Sequence, residues 1–241
     1  MLAEEENLAG LARLNRALIG RAETMDSDYR TILDMDSTEI PVYGEQEQSA
    51  YNGYFESTCF HPLLLFNRQG DCLAAKLRPG NVHSAEGWEE LLLPEIERQQ
   101  QMGKEVAFRG DAAFAKPEVY EALEERGVKY AIRVPANDSL ERDIAELLPR
   151  PVGRPSQKPL VEYKGFLYQA ASWKTARRVA AKVGRNSIME IPVKMDFESF
   201  VLGSLTSHAN VGKTGEKSWL RGLDLNQRPL GYECNHALLT R

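Results

Sequence analysis

The sequence predicts an α/β fold, a mixed β-sheet with helices on its faces. Three observations lead there. Between residues 31 and 80, apolar runs are separated by short turn-bearing stretches, the pattern of strands joined without helices. From 103 to 137 the pattern becomes strand, helix, strand, punctuated by Gly103, Pro117 and Gly127. Two short acidic motifs, LDMDST at 33–38 and RGDAAF at 109–114, each end a predicted strand in aspartate.

The elements follow in order. Residues 3–22 carry Leu8, Leu11, Leu14 and Leu18 at helical spacing, which predicts an amphipathic helix. TILDMDSTEI (31–40) is a predicted strand, closed by Pro41, which cannot continue a ladder. After a Gly- and Gln-bearing loop, CFHPLLLFNR and DCLAAKLRPG form a predicted hairpin across Gln69-Gly70. Residues 84–102 are a predicted helix with Ser84 as N-cap. KEVAFRGDAAF is a strand ending at Asp111. KPEVYEALEERG is a helix with Pro117 in its first turn and Gly127 at its end, and VKYAIRVPAN is another strand. SLERDIAELL is a short helix before the Pro- and Arg-rich connector PRPVGRPSQKP. EYKGFLYQAASW reads as strand, and WKTARRVAAKV as a basic strand or helix. Beyond Gly184 no period is sustained. The expected division is a helix at 1–29 left from an upstream domain, a core domain at 30–183, and a poorly ordered tail at 184–241.

Composition narrows the function classes. Of 241 residues, 42% are hydrophobic and 27% charged, as in a globular protein with a sizeable core. No apolar run approaches the roughly 20 residues of a membrane span, and the acidic start MLAEEENLAG lacks a signal-peptide core. Cys59, Cys72 and Cys234 are odd in number and widely spaced, without a CxxC pair, so a zinc site is not indicated and a reducing cytoplasm is expected. Net charge is -5, but Arg150–Arg185 holds nine Lys/Arg against Glu162 alone. Such a segment can meet a polyanion locally on an acidic body.

The two acidic motifs carry the chemistry. Side chains two apart on a strand share a face, so Asp34 and Asp36 project together, with Ser37 and Thr38 beside them. Asp111 is followed by two alanines that let another molecule approach. Carboxylates converging from separate strands repel unless a divalent cation neutralises them, and Mg²⁺ prefers such hard oxygen ligands. A metal-dependent phosphoryl-transfer site is one reading; a solvated strand end or a salt bridge is the other.

LDMDST, YGEQEQSAYNGY, FHPLLLF, LRPGN and RGDAAF, in that order, resemble the transposase domain of bacterial insertion sequences of the DDE class, over about residues 30–183. The resemblance implies an RNase H-like fold, and DNA cleavage and strand transfer at transposon ends with Mg²⁺ or Mn²⁺. It places the first acid at Asp36, with Asp34 as a neighbour able to share that role or substitute for it, and the second at Asp111. It also implies DNA as partner and a possible homo-oligomer. The third acid of the class, a Glu on a later helix, has no counterpart in the expected context. Glu190, Glu198, Glu216 and Glu233 all lack it. The ending RGLDLNQRPLGYE resembles a phrase recurring at the ends of unrelated conceptual translations. These features predict a truncated, inactive copy, clipped also at its start. Two rivals stand: a non-catalytic DNA-binding or assembly-interfering fragment, and another metal-dependent phosphoesterase.

Lys174, Arg177, Arg178, Lys182 and Arg185 are the candidate phosphate contacts, joined by Arg150, Arg154 and Lys158. Trp88 and Trp173 read as core, although Trp173 beside Lys174 could stack on a base. GKTGEKS (212–218) lacks the glycine of a phosphate loop, position 207 being Ser. His61 and His83 read as structural.

Overall fold

The structure is a computed structural model that describes residues 5–25, 29–147, 160–185 and 196–203. The helices are α1 (Glu5–Met25), α2 (Trp88–Gln101), α3 (Pro117–Glu125) and α4 (Asp138–Asp143). The strands are β1 (Arg30–Ser37), β2 (Ile40–Pro41), β3 (Ala50–Asn52), β4 (Ser57–Phe60), β5 (Leu63–Asn67), β6 (Cys72–Lys76), β7 (Glu105–Gly110), β8 (Lys129–Val134), β9 (Leu160–Tyr168), β10 (Arg177–Arg185) and β11 (Asp196–Gly203).

One sheet runs β6-β5-β1-β7-β8-β11-β10-β9. β6, β5 and β1 pair antiparallel, while β1, β7 and β8 are parallel. The parallel pairs are linked through α2 and α3, as parallel strands require. Strand order β6-β5-β1-β7-β8 with this mixture of directions is RNase H-like, the expected fold.

The two faces of the sheet differ in chemistry. Leu33, Met35, Leu65, Phe108, Tyr130 and Ile132 are buried in one core with Leu92 and Ile96 of α2 and Tyr120 and Leu123 of α3. The opposite face carries Asp34, Glu105 and Arg109. Glu105 takes Arg30 at 2.8 Å and also Lys129, both from neighbouring strands. The Lys129 bond, opposed by partial burial and reinforced by Arg30, holds the Glu105 carboxyl below its ordinary range.

Several elements depart from the sequence expectations for local reasons. The strand expected over 31–40 ends at Ser37, and Ile40–Pro41 joins a separate small sheet, β2-β4-β3. CFHPLLLFNR divides at His61-Pro62 into β4 and β5, which lie in different sheets. Pro62 has no N–H to continue a ladder, and its carbonyl accepts instead from Thr38 N (3.3 Å). The second helix starts at Trp88, not after Ser84; its N-cap is Gly87, at φ 74°. Residues 83–86 form a turn, because Arg78 Nη1 donates to the carbonyls of His83 (3.2 Å), Ser84 (3.1 Å) and Glu86 (2.6 Å). WKTARRVAAKV contributes a strand. Asp196–Gly203, read as lacking period, forms β11 between β8 and β10.

Helix α1 is fastened to the sheet domain. Arg16 bonds both Glu95 oxygens (2.9 and 2.8 Å) and Glu23 (3.0 Å). Gln99 donates to Glu23 (2.9 Å) and Glu95 (2.8 Å), and receives Thr31 of β1 at 3.2 Å. Asn15 reaches the Cys72 carbonyl at 2.8 Å. Burial raises the Glu95 carboxyl, and the Gln99 and Arg16 bonds partly oppose this.

Candidate functional site

The register of β1 on β7 aligns the two acidic motifs. Leu33 faces Phe108, Asp34 faces Arg109 and Met35 faces Gly110. Asp36 and Asp111 are the next residues along, at the ends of neighbouring parallel strands that run about 4.8 Å apart. Asp111 is still in extended backbone (φ −77°, ψ −172°). Alternation therefore puts Asp36 on the face of Asp34, and Asp111 on the face of Arg109.

That face is shared, because Asp34 and Arg109 form a two-pronged ion pair across it. Nε and Nη2 of Arg109 each lie 2.5 Å from a different Asp34 oxygen. Both groups are less than one-fifth exposed. Asp34, expected as a third metal-sharing acid, thus has both oxygens on a guanidinium. Asp36 and Asp111 are exposed beyond it.

Each of these two aspartates is braced by main chain. Asp36 Oδ1 accepts from Ser37 N at 2.8 Å. Asp111 Oδ1 accepts from Ala113 N at 2.9 Å and caps the 3-10 turn Ala112–Phe114. The turn is seated by Phe114, fully buried and edge-on to Phe108 with ring centroids 6.1 Å apart. Gly110 makes this possible, since a Cβ there would meet both rings at 3.1 Å. Arg109 and Gly110 escaped the sequence reading. Sliding the two motifs into parallel register, LDMD beside FRGD, would have exposed the Asp34–Arg109 pair.

Two braced carboxylates on adjacent strand ends, facing solvent on one side, form a donor set of the type that suits Mg²⁺ or Mn²⁺. Among the described residues, no group of three or more His, Cys, Asp or Glu lies close enough to hold a metal. Glu190, Glu216 and Glu233 fall outside the described residues; Glu198 lies in β11, in register with Lys182. His61 is buried, with Nδ1 3.3 Å from the Val82 carbonyl, and burial lowers its pKa. His83 Nδ1 accepts from Ala85 N at 3.1 Å.

A family model described as transposase DDE domain group 1 matches residues 1–222. The chain belongs to that family. Among solved structures, this DDE transposase chain is similar to the piggyBac transposase synaptic complex with hairpin DNA, at 12% identity and a TM-score of 0.39. That match covers 76% of this chain and 34% of the piggyBac chain. It is also similar to the Mos1 strand transfer complex, at 15% identity and a TM-score of 0.30, over 57% of this chain and 47% of the other. The chain thus spans less than half the length of either structure. No curated protein matches it.

The basic run divides in two on the transposase chain. Arg177 points into the core, 5% exposed, with Nε 2.8 Å and Nη2 3.0 Å from the two Glu124 oxygens. Its guanidinium stacks over Tyr120 (4.9 Å) and Trp173 (5.3 Å). Burial disfavours its charge, but Glu124 outweighs this and the net shift is upward. Trp173 is buried, as expected of a core residue. Lys174 is exposed and pairs with Glu121 at 2.7 Å. Arg178 and Lys182 alternate with the buried Val179, Ala181 and Val183 and are half-buried on the other side of β10. Arg185 is the last residue of β10. Arg150, Arg154 and Lys158 lie outside the described residues. Among the described residues no helix is long and apolar enough to cross a membrane.

Proposed function

We propose that this chain is the metal-binding part of a DDE transposase catalytic domain acting in DNA cleavage and strand transfer at the ends of an insertion sequence. Asp36 and Asp111 are its two metal-holding carboxylates and Mg²⁺ or Mn²⁺ its cofactor. The observation that carries the reading is the register: Met35 beside Gly110 leaves both aspartates at adjacent strand ends on one face. Asp34 then serves as a positioning residue. Its ion pair with Arg109 ties β1 to β7 beside the two strand ends.

The metal, once bound, supplies Lewis-acid stabilisation of the phosphodiester oxygens. The chain's own groups orient the site. Ser37 N and Ala113 N each fix one oxygen of an aspartate, which sets the direction of the other. The small side chains Ala112 and Ala113 leave room beside Asp111 for a DNA backbone. Remaining coordination positions fall to water and DNA, as Mg²⁺ commonly retains several waters. Cleavage by this chain is proposed to be weak or absent, because Glu190, Glu198, Glu216 and Glu233 all lack the sequence context of the third acid of the class. The cytoplasm, where thiols such as Cys59 and Cys72 stay reduced, is the proposed compartment.

Mn²⁺ titration followed by electron paramagnetic resonance tests the reading. Asp36→Asn and Asp111→Asn are each expected to weaken binding at least ~10-fold, a loss of about 1.4 kcal/mol, with unfolding curves unchanged. Equal binding by wild type and both variants would remove the site. Nicking of supercoiled DNA in Mg²⁺ that is lost in Asp111→Asn would contradict the proposed inactivity while upholding the metal centre.

DNA contact is proposed through Lys174, Arg178, Lys182 and Arg185, with Arg177 serving as scaffold. Four phosphate contacts give a slope of log affinity on log salt of about −3.6 for duplex DNA, and no sequence preference. Titration of several duplexes at two salt concentrations checks this. Tight binding to one sequence that survives high salt would reject it.

A further inference from the structure

We infer that Arg133 is a substrate-holding residue of the candidate site, its guanidinium gripping the DNA phosphate that lies over Asp36 and Asp111. The inference rests on the metal reading above and adds a residue to it. Strand register carries the row of the two acids one strand further. Met35 stands beside Gly110 of β7, and Gly110 beside Ile132 of β8. The next residues along are Asp36, Asp111 and Arg133, so the three fall in one row across neighbouring parallel strands. Adjacent strands lie about 4.8 Å apart, which puts the Arg133 backbone one spacing from Asp111 and two from Asp36.

Alternation sets the direction of the side chain. Tyr130, Ile132 and Val134 of β8 are buried in the core. Arg133, between Ile132 and Val134, therefore stands on the opposite face, with Asp34 and Arg109, and is exposed there. The other cations on this face of β1, β7 and β8 are committed to carboxylates: Arg109 to Asp34, and Arg30 and Lys129 to Glu105. Among the described residues Arg133 has no such partner. Its planar fork of N–H donors, which fits two phosphate oxygens at once, is open to a ligand.

The neighbouring charges dictate when Arg133 acts. Without metal, a DNA phosphate entering the row meets two aspartates, and their repulsion offsets the attraction of Arg133. Once a divalent cation neutralises the aspartates, that opposition is gone. Arg133 is thus expected to strengthen DNA binding in Mn²⁺ and to contribute little in its absence. Arg178 and Lys182 stand on β10, separated from β8 by β11, and are expected to act alike in both conditions.

Fluorescence anisotropy of the full chain with a short DNA duplex, at fixed Mn²⁺ or in EDTA and over a range of salt, decides the matter. Wild type is expected to gain affinity in Mn²⁺. Arg133→Ala is expected to bind ~10-fold more weakly than wild type in Mn²⁺, with a salt slope shallower by about 0.9, and to match wild type in EDTA. Arg133→Lys is expected to keep the slope but recover only part of the affinity, because an ammonium cannot take two oxygens at once. Arg178→Ala, the comparison, is expected to lose affinity in both conditions. Thermal unfolding and Mn²⁺ binding without DNA are expected to stay as in wild type for Arg133→Ala, since the side chain is exposed and is no metal ligand. A loss of DNA affinity that is equal in Mn²⁺ and EDTA makes Arg133 a general phosphate contact and overturns the inference. Earlier unfolding or weaker Mn²⁺ binding by Arg133→Ala shows a structural role and overturns it too. Wild-type DNA affinity in Arg133→Ala, with Mn²⁺ binding intact, removes this inference alone; equal Mn²⁺ binding by wild type and Asp36→Asn removes the metal reading and this inference with it.

Discussion

Gly80→Ala is expected to destabilise the protein by about 3 kcal/mol, the upper part of the range for overpacking. A Cβ at residue 80 would lie 2.4 Å from the Ala50 carbonyl oxygen, 2.6 Å from the Cys59 carbonyl oxygen and 2.8 Å from Cys59 Sγ. The first two are main-chain atoms of the small sheet, which cannot swing aside as a side-chain tip can. Asn52 also donates to the Gly80 carbonyl at 2.6 Å, so moving residue 80 away breaks that bond. The entropic gain of replacing glycine, roughly 0.4–1 kcal/mol, is too small to offset the clash. Gly53 supplies the control. Nothing lies within 4 Å of its added Cβ, so Gly53→Ala is expected to be neutral or slightly stabilising. Urea unfolding of both variants checks the pair, and equal midpoints would contradict the packing of the LRPGN loop against β3 and β4.

Glu124→Ala is the second large effect, about 3 kcal/mol, the low end for a buried ion pair because the Glu124 side chain is 36% exposed. It strips the Arg177 guanidinium of both its carboxylate bonds while the Arg177 side chain stays 4% exposed. The Tyr130 hydroxyl loses its 2.6 Å bond to the same carboxylate. The aromatic faces of Tyr120 and Trp173 remain, but cation–π contact of about 2 kcal/mol cannot replace an ion pair in a buried setting. Arg177→Met added to Glu124→Ala removes the orphan charge and is expected to recover most of the loss, since an apolar side chain fits beside the two rings. A cost below about 1 kcal/mol for Glu124→Ala, within the range of an exposed pair, would show that Arg177 is hydrated, and would return it to the set of phosphate contacts.

The two motifs were legible because strand-end aspartates announce themselves. Apolar runs fixed the strands, and alternation placed Asp34 and Asp36 on one face. The fold class and five of the central strands were legible from the same signals. Arg109 was not, because its meaning depends on the offset between β1 and β7, which is set by packing distant in sequence. The burial of Arg177 was hidden for the same reason: a basic run looks solvated until Glu124, 53 residues away, is placed beside it. The small sheet was missed because its strands are two to four residues long, too short for alternation to show. β11 was missed because Asp196 and Glu198 interrupt its apolar residues.

Asp36 and Asp111 are proposed to hold one divalent metal centre between them. Anomalous diffraction from crystals soaked in Mn²⁺ tests it most directly. The expected result is a peak between the Asp36 and Asp111 carboxylates, with Asp34 still on Arg109. A peak elsewhere, or carboxylates of Asp36 and Asp111 on opposite faces of the sheet, would contradict it.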